Sequence, residues 1–339
     1  MLFLGIESSC DETAASVVEY SDGVFNIKSN IIASQIKFHE RYGGVVPEIA
    51  SRMHIEAITG VVSQAMEEAQ AEFRDLTALT VTYAPGLIGA LLVGVNYAKS
   101  LAYALDKPLI PVHHIEGHIS ALYLENPDLK PPFVCLVASG GHSTIVHVKD
   151  YLDFETIAST RDDAAGEAFD KIARVIGLGY PGGPKIQKYA EEGNEDAVDF
   201  PIVKMKDGFD FSFSGVKTAV INYLHNAEQK GEEINKHDIA ASFQRAVCTA
   251  LSERLVVCAK EVGATSIGLA GGVAANDKLR EMINIKSQEM GLKFYYPSKI
   301  LCTDNAAMIA ARGAHIFDYS DDKNFGCKLD LNALSTKDF

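Results

Sequence analysis

The chain repeats itself. An apolar run, a small polar turn, a threonine and a second apolar run fill residues 3–20, and the same order returns at 133–148. Laid over each other at an offset of 131, the two passages match without a gap. Ile6 falls on Val137, Ser8 on Ser139, Thr13 on Thr144 and Val17 on Val148. That is the mark of an internal duplication, and it restricts the chain to architectures built from two related halves. Both copies read as a buried strand, a turn and a return strand.

The rest of each half alternates. In the first, a strand follows at Asn26–Ser34, then a loop at Phe38–Val46, a helix opened by Pro47-Glu48, a strand at Leu76–Tyr83, an apolar helix from Pro85-Gly86 to about Leu105, and a strand at Pro108–Val112. In the second, a strand at Phe154–Ser159 precedes a helix at Asp163–Ile176 and a tight turn at Tyr180–Pro184 that enters another helix. A helix through Leu224, a polar loop at Asn226–Asp238 and a long helix at Ile239–Val262 follow. Then come a strand at Ser266–Ala270, a helix from Asn276, a strand at Lys293–Tyr296 and a last helix at Thr303–Tyr319. Strands alternating with helices predict an α/β protein with helices packed on its sheets. After Ser320 the chain reads as a polar tail.

At 339 residues, 47% of them hydrophobic and 22% charged, the chain can bury a sizeable core. Its first residues read as a strand and not as a signal peptide. The apolar window Leu87–Leu105 carries Asn96 and Lys99 and reads as a buried helix. Six cysteines without CxxC spacing fit a reducing cytosol. A net charge of −14 disfavours non-specific nucleic-acid binding, so an RNA substrate would need a local basic patch or a partner that contributes one.

Chemistry concentrates in a few places. His114 and His118 follow a strand and stand four residues apart, on one face of a helix starting near His113. Two readings stand: imidazoles offered to one metal ion, or polar helix-start residues. Asp304 could supply the carboxylate of a His, His, carboxylate set suited to Fe(II) or Zn(II), or Thr303 or Asp304 could simply cap the last helix. Ser8–Thr13, Ser139–Thr144 and Ala270–Asn276 are turns whose backbone N–H groups can meet an anion or nucleotide, and none has P-loop or GxGxxG spacing. Glu167/Lys171 and Asp170/Arg174 are i,i+4 pairs. Asp170 either belongs to a solvated face or accepts from a ligand hydroxyl. Asp11-Glu12 either serves as a base or makes turn hydrogen bonds.

Eight stretches in order, among them Glu7-Ser8-Ser9-Cys10-Asp11-Glu12-Thr13, His113-His114-Ile115-Glu116-Gly117-His118, Ser139-Gly140-Gly141-His142, Tyr180-Pro181-Gly182-Gly183-Pro184, Phe211-Ser212-Phe213-Ser214-Gly215 and Thr303-Asp304-Asn305, resemble the bacterial tRNA N6-adenosine threonylcarbamoyltransferases (TsaD), once classed as glycoproteases. The resemblance runs over nearly the whole chain. It implies a duplicated actin-like, ribonuclease-H-like fold of the sugar-kinase and heat-shock ATPase class (ASKHA). A first lobe would span 1–130 and a second 131–319, with the last helix, 303–319, packing back on the first, and 320–339 as tail. It implies transfer of the threonylcarbamoyl group from threonylcarbamoyl-adenylate to N6 of adenosine 37 in tRNAs reading codons that begin with A, with loss of AMP. His114, His118 and Asp304 would hold one metal, iron(II) ahead of zinc(II). Val137, Ala138, Ser139, Gly140, Gly141, Asp170, Gly183 and Asn276 would line the adenylate site, and Asp11 would help the N6 attack. The implied partners are tRNA, a paralogous actin-like subunit (TsaB) and a small ATPase (TsaE), in the cytoplasm. Gln187 departs from the pattern, because many members carry an Asp there.

Two other functions are open at this stage. In a metalloprotease of the HExxH kind the Glu directly follows the first His. Here Glu116 lies two residues after His114, about 200° around the helix, and Gly117 weakens that helix. A non-catalytic actin-like subunit would lack the histidine pair. Lys204, Lys206 and Lys217 are candidates for a local basic patch.

Overall fold

The computed structural model describes residues 1–202, 208–322 and 325–337. In chain order the elements are β1 (Leu2–Glu7), β2 (Glu12–Ser21), β3 (Val24–Ser34), the short α1 (Ile36–His39), α2 (Pro47–Glu68), β4 (Ala78–Ala84), α3 (Ile88–Leu105), β5 (Leu109–His113) and α4 (His114–Ser120). They continue with β6 (Phe133–Ala138), β7 (Ser143–Val148), β8 (Phe154–Ser159), α5 (Ala165–Val175), α6 (Gly182–Ala190), α7 (Ser214–Lys230), α8 (Lys236–Glu261), β9 (Ser266–Ala270), α9 (Asp277–Glu289), β10 (Lys293–Tyr295), α10 (Lys299–Cys302) and α11 (Ala306–Tyr319). The chain divides into two compact units. One comprises Met1–Pro131, Lys149–Phe154 and Pro297–Phe339, and the other Pro132–Val148 and Glu155–Tyr296.

The first unit is built on a sheet of order β3-β2-β1-β4-β5. β1 runs antiparallel to β2 and parallel to β4, the mixture expected when a hairpin is followed by helical crossovers. β1 is buried along almost its whole length because helices cover the sheet: α2 and α3 carry Ile58, Val62, Leu91 and Val95 into the core, and α11 packs on β1, β2 and β4. α3 is long and apolar enough to cross a membrane by length and composition. It ends at Asp106, left-handed at φ 51°, with Lys107 N–H closing on Ala102 O. The segment 325–337 is tied to this unit by backbone hydrogen bonds, Leu109 N to Gly326 O and Leu334 N to Tyr83 O among them, and it buries Ala333.

The second unit repeats that order. Its sheet runs β10-β9-β6-β7-β8, so β6, β7, β8, β9 and β10 stand where β1, β2, β3, β4 and β5 stand in the first. The duplicated α/β architecture expected from the offset is therefore present in both sheets. The hairpins differ in one respect that an ungapped overlay hides. Glu7 pairs with Ala14 across six intervening residues, and Ala138 with Ser143 across four. The second turn is two residues shorter, so Thr144 pairs with Val137 while Ile6 pairs with Ala15.

Two predicted boundaries change. α7 runs on to Lys230, where the polar loop was expected, because Ala227 is buried and the left-handed Gly231 ends the helix. The last helix begins at Ala306, and Asn305 caps it, accepting from Met308 N at 3.1 Å. Neither Thr303 nor Asp304 is the cap.

A candidate metal centre and the ligand-facing turns

In the first unit β5 delivers the chain straight into α4, so His114 and His118 stand one helical turn apart, with ring centroids 4.6 Å apart. Asp304 lies between α10 and α11. With Asn305 doing the capping, its carboxylate is free to face the imidazoles: Oδ1 is 3.2 Å from His118 Nε2 and 3.5 Å from His114 Nε2. One ligand atom from each residue lies within 4.8 Å of the others. Gly117 makes the approach close enough. A Cβ there would sit 2.7 Å from Ile309 Cδ1 of α11, the helix that Asp304 precedes. The glycine that weakens α4 is thus what lets the two helices touch.

The residues fit a metal. His118 is fully buried, and its Nε2 faces Asp304 Oδ1 at 3.2 Å without the alignment of a good hydrogen bond. His114 Nδ1 lies 3.0 Å from Glu7 Oε2, a carboxylate that can only accept. A proton therefore sits on Nδ1, and Nε2 is the nitrogen left to face Asp304. Two imidazoles and a carboxylate suit Fe(II) or Zn(II), with positions left open.

The electrostatics agree. Burial raises the Asp304 carboxyl, but the His114 and His118 imidazoles outweigh it and hold the group well below the usual carboxylate range. Burial disfavours charge on His114, yet Asp304 and Glu7 outweigh it and push that imidazole well above its ordinary value. On His118 burial prevails and the imidazole is lowered. A buried carboxylate, Glu7, and a partly exposed one, Asp304, around one pair of imidazoles make a site that attracts a cation.

Glu116 is turned elsewhere. Its Oε2 accepts from Arg312 Nε at 2.5 Å, while Arg312 also donates to Tyr151 O and lies over the Phe154 ring. A carboxylate bound in this way does not face the histidines and is not placed as the base of a peptidase.

Residues that sequence reasoning missed support this centre. Glu7 is fully buried and accepts from Thr82 Oγ1 at 2.6 Å and from Ser9 N at 2.5 Å besides holding His114. Ser9 Oγ lies 3.2 Å from His114 Nδ1. The turn that carries Asp11 is held by His54. A carbonyl only accepts, so His54 Nε2 donates to Cys10 O at 2.9 Å and Nδ1 accepts from Thr13 Oγ1 at 2.7 Å. Burial lowers the His54 pKa, in keeping with that neutral tautomer. Burial, then the charges of Asp11 and Asp304, push the Glu12 carboxyl well above the usual carboxylate range.

In the second unit the predicted adenylate residues form a chain of contacts. Ser139 O accepts from Gly166 N near the start of α5, where a Cβ on Gly166 would meet Ser139 O at 2.5 Å. Asp170, on α5, accepts from Gly182 N at 2.6 Å where α6 begins. Gln187, on α6, donates Nε2 to Asp277 Oδ2 at 2.8 Å and accepts from Asp277 N at 3.0 Å where α9 begins. Asn276 caps α9 and donates to Gln244 Oε1. The contacts therefore link α5, α6 and α9 in series, each helix holding the first turn of the next. Gly140, Gly141 and Gly183 border open space, whereas Val137 and Ala138 are fully buried and offer a ligand only their backbone. A cavity of about 440 Å³ lies on the far side of the Gln187–Asp277 contact, lined by those two residues with Gln244, Lys278, Glu195 and Glu281 among others and by none of the predicted adenylate residues.

Of the proposed basic patch, Lys204 and Lys206 lie outside the described residues. Lys217 bonds Asp163, which also holds Lys171 at 2.8 Å. Lys171 reaches Glu167 at 2.7 Å as its spacing predicts.

Comparison with known proteins agrees with this geometry. A family model described as TsaD, tRNA N6-adenosine threonylcarbamoyltransferase, matches residues 26–311. Proteins of that name from Clostridium perfringens (strain SM101 / Type A) and Clostridium novyi (strain NT) are similar to the chain. The first is 60% identical over 91% of this chain and 91% of its own length, the second 57% identical over 98% and 96%. Among solved structures, full-length HypF in its phosphate- and nucleotide-bound form aligns with a TM-score of 0.62 at 17% identity, over 94% of this chain and 47% of HypF. The Acidaminococcus fermentans (R)-2-hydroxyglutaryl-CoA dehydratase component A aligns with a TM-score of 0.54 at 16% identity, over 92% and 97%. These likenesses show the actin-like ATPase fold. The sequence matches go further: this chain belongs to the tRNA N6-adenosine threonylcarbamoyltransferase family.

Proposed function

We propose that the chain transfers the threonylcarbamoyl group of threonylcarbamoyl-adenylate to N6 of adenosine 37 in tRNAs that read codons beginning with A, releasing AMP, and that His114, His118 and Asp304 hold one divalent metal for this reaction. Membership of the family makes the chain a transferase that acts on tRNA. The observation that carries the metal assignment is the convergence of His114, His118 and Asp304, whose ligand atoms lie within 4.8 Å of one another. Iron(II) is the favoured ion and zinc(II) the alternative.

When bound there, the ion supplies Lewis-acid stabilisation of the charge that develops on the carbamoyl carbonyl under attack. Glu7 fixes the His114 tautomer. Gly140, Gly141 and Gly183 border open space and let the adenylate come close to the backbone, and Asp170 acts by holding the start of α6. Asp11, next to Glu12, assists the adenine N6 as it attacks. The chain works in the cytoplasm with a paralogous actin-like subunit (TsaB) and a small ATPase (TsaE).

The test supplies threonylcarbamoyl-adenylate and unmodified tRNA, with the partner proteins, to wild type and to His118→Ala. Mass spectrometry follows the modified nucleoside, and elemental analysis follows bound metal. Wild type should form product and carry about one metal per chain. His118→Ala should lose the metal and at least about a hundredfold in rate. A metal-free wild type that forms product at the same rate after chelation would remove the metal from the reading, and absence of product would remove the reading itself.

A further inference from the structure

With a net charge of −14 and Lys217 bound to Asp163, the chain still has to receive a polyanionic acceptor. One segment places exposed cations beside exposed rings, with a single acid, Glu40, among them: Ile36-Lys37-Phe38-His39-Glu40-Arg41-Tyr42. Lys37 and Arg41 are exposed, and so are two aromatic rings, Phe38 at 53% and Tyr42 at 64%. Aromatic side chains left in water lose the free energy that burial would give them, so two neighbouring ones mark a surface with a partner.

The segment is rigidly built. Its inward side chains, His39 and Gln35, are buried. His39 Nδ1 accepts from Val46 N at 3.3 Å, which leaves Nε2–H to donate to Gln35 Oε1 at 3.1 Å. Gln35 Nε2 in turn donates to Ala50 O in α2. The frame hangs on the turn of Asp11 and Glu12: Gln35 N donates to Asp11 O at 3.0 Å, and Ser34 Oγ to Glu12 Oε1 at 3.0 Å.

We propose that Lys37, Phe38, Arg41 and Tyr42 form the surface that receives unpaired anticodon-loop RNA, with bases stacked on the two rings and phosphates met by the two cations. This rests on the tRNA acceptor reading above. Single-stranded RNA is bound by aromatic platforms interleaved with basic residues, since every base has a π-face and every linkage a charge. An adenosine whose N6 is to react has to leave its stack, and stacking of its neighbours on a rigid platform compensates for that loss. Charge complementarity favours RNA over a protein partner here, because the cations flank the rings.

The experiment uses the full chain with its partner proteins and unmodified tRNA. Fluorescence anisotropy gives tRNA affinity at two salt concentrations, and product formation gives KM and kcat. Both rings are more than half exposed, so their truncation leaves the fold in place. Phe38→Ala/Tyr42→Ala should weaken tRNA binding and raise KM for tRNA by at least about tenfold, with AMP affinity unchanged. Phe38→Trp and Tyr42→Phe should stay near wild type, since both keep a stacking face. Lys37→Gln/Arg41→Gln should flatten the salt dependence of binding. Wild-type tRNA affinity in the double alanine variant would overturn the proposal. So would loss of a partner protein from the complex with tRNA affinity intact, which would make the surface a protein interface. Product formation by the wild type tests the acceptor reading separately, and the anisotropy decides this surface whether or not product forms.

Discussion

Glu7 sits where water does not reach, and each of its carboxylate oxygens has a job: Oε1 takes Ser9 N–H, and Oε2 takes the Thr82 hydroxyl and His114 Nδ1–H. Glu7→Gln keeps the shape but turns an NH2 group toward donors whichever way the amide lies. His114 would lose its fixed tautomer while all three candidate ligands remained. Metal affinity should fall by about 10–100-fold, read by competition with a chromophoric chelator for iron(II) or zinc(II). Equal affinity in Glu7→Gln and wild type would dismiss Glu7 from this role. The sequence pointed to the histidine pair, because i,i+4 spacing is a local signal; spacing could link neither Asp304 nor Glu7 to that pair, and only the family resemblance brought in Asp304. Glu7 reaches His114 across 107 positions, and only the parallel pairing of β1, β4 and β5 makes them neighbours.

At the level of elements, α11 governs the candidate centre by lying very close to its neighbours. A Cβ on Gly5 of β1 would stand 2.2 Å from Ala306 O, and one on Gly313 would stand 2.1 Å from Thr80 Cγ2. The first obstacle is backbone and cannot turn aside, so Gly5→Ala should cost at least about 3 kcal/mol and lower the melting temperature by several degrees. A Gly5→Ala protein that melts with the wild type would show that α11 can ride further from the sheet. Asn305→Ala is the milder probe. It removes the cap at a cost of about 1 kcal/mol and loosens the turn that aims Asp304, so metal affinity should fall with it. A stability loss with unchanged metal affinity would separate the cap from the centre. The helix itself was legible from its apolar periodicity, but its first residue was not. Thr303, Asp304 and Asn305 are all good caps by composition, and packing against α4 decides among them.

For the whole molecule, the offset of 131 disclosed the duplication, and both sheets have the order it implies. The shorter second turn stayed hidden because a two-residue slip in a strand returns each side chain to the same face, so the alternation looks unchanged. Global stability offers a test of one further buried group. His315 is 3% exposed and lies within 6.0 Å, centroid to centroid, of the rings of Tyr20, Phe25, Tyr123, Tyr151 and Tyr319. Burial, and then the Arg312 charge, lower its pKa from 6.5 to about 3. Because the folded value lies below the unfolded one, the unfolded chain binds the extra proton at acid pH. The contribution of His315 is therefore intact above pH 6.5 and is lost as pH falls toward 3, by roughly 5 kcal/mol in the limit. His315→Phe keeps an aromatic ring in the cage and removes the titration. The stability of the variant relative to wild type should rise steadily from pH 6.5 downward and stay constant above it, as followed by denaturant unfolding with circular dichroism (the chain has no tryptophan). A difference between the two proteins that does not change with pH would mean that His315 titrates alike in the folded and unfolded chain.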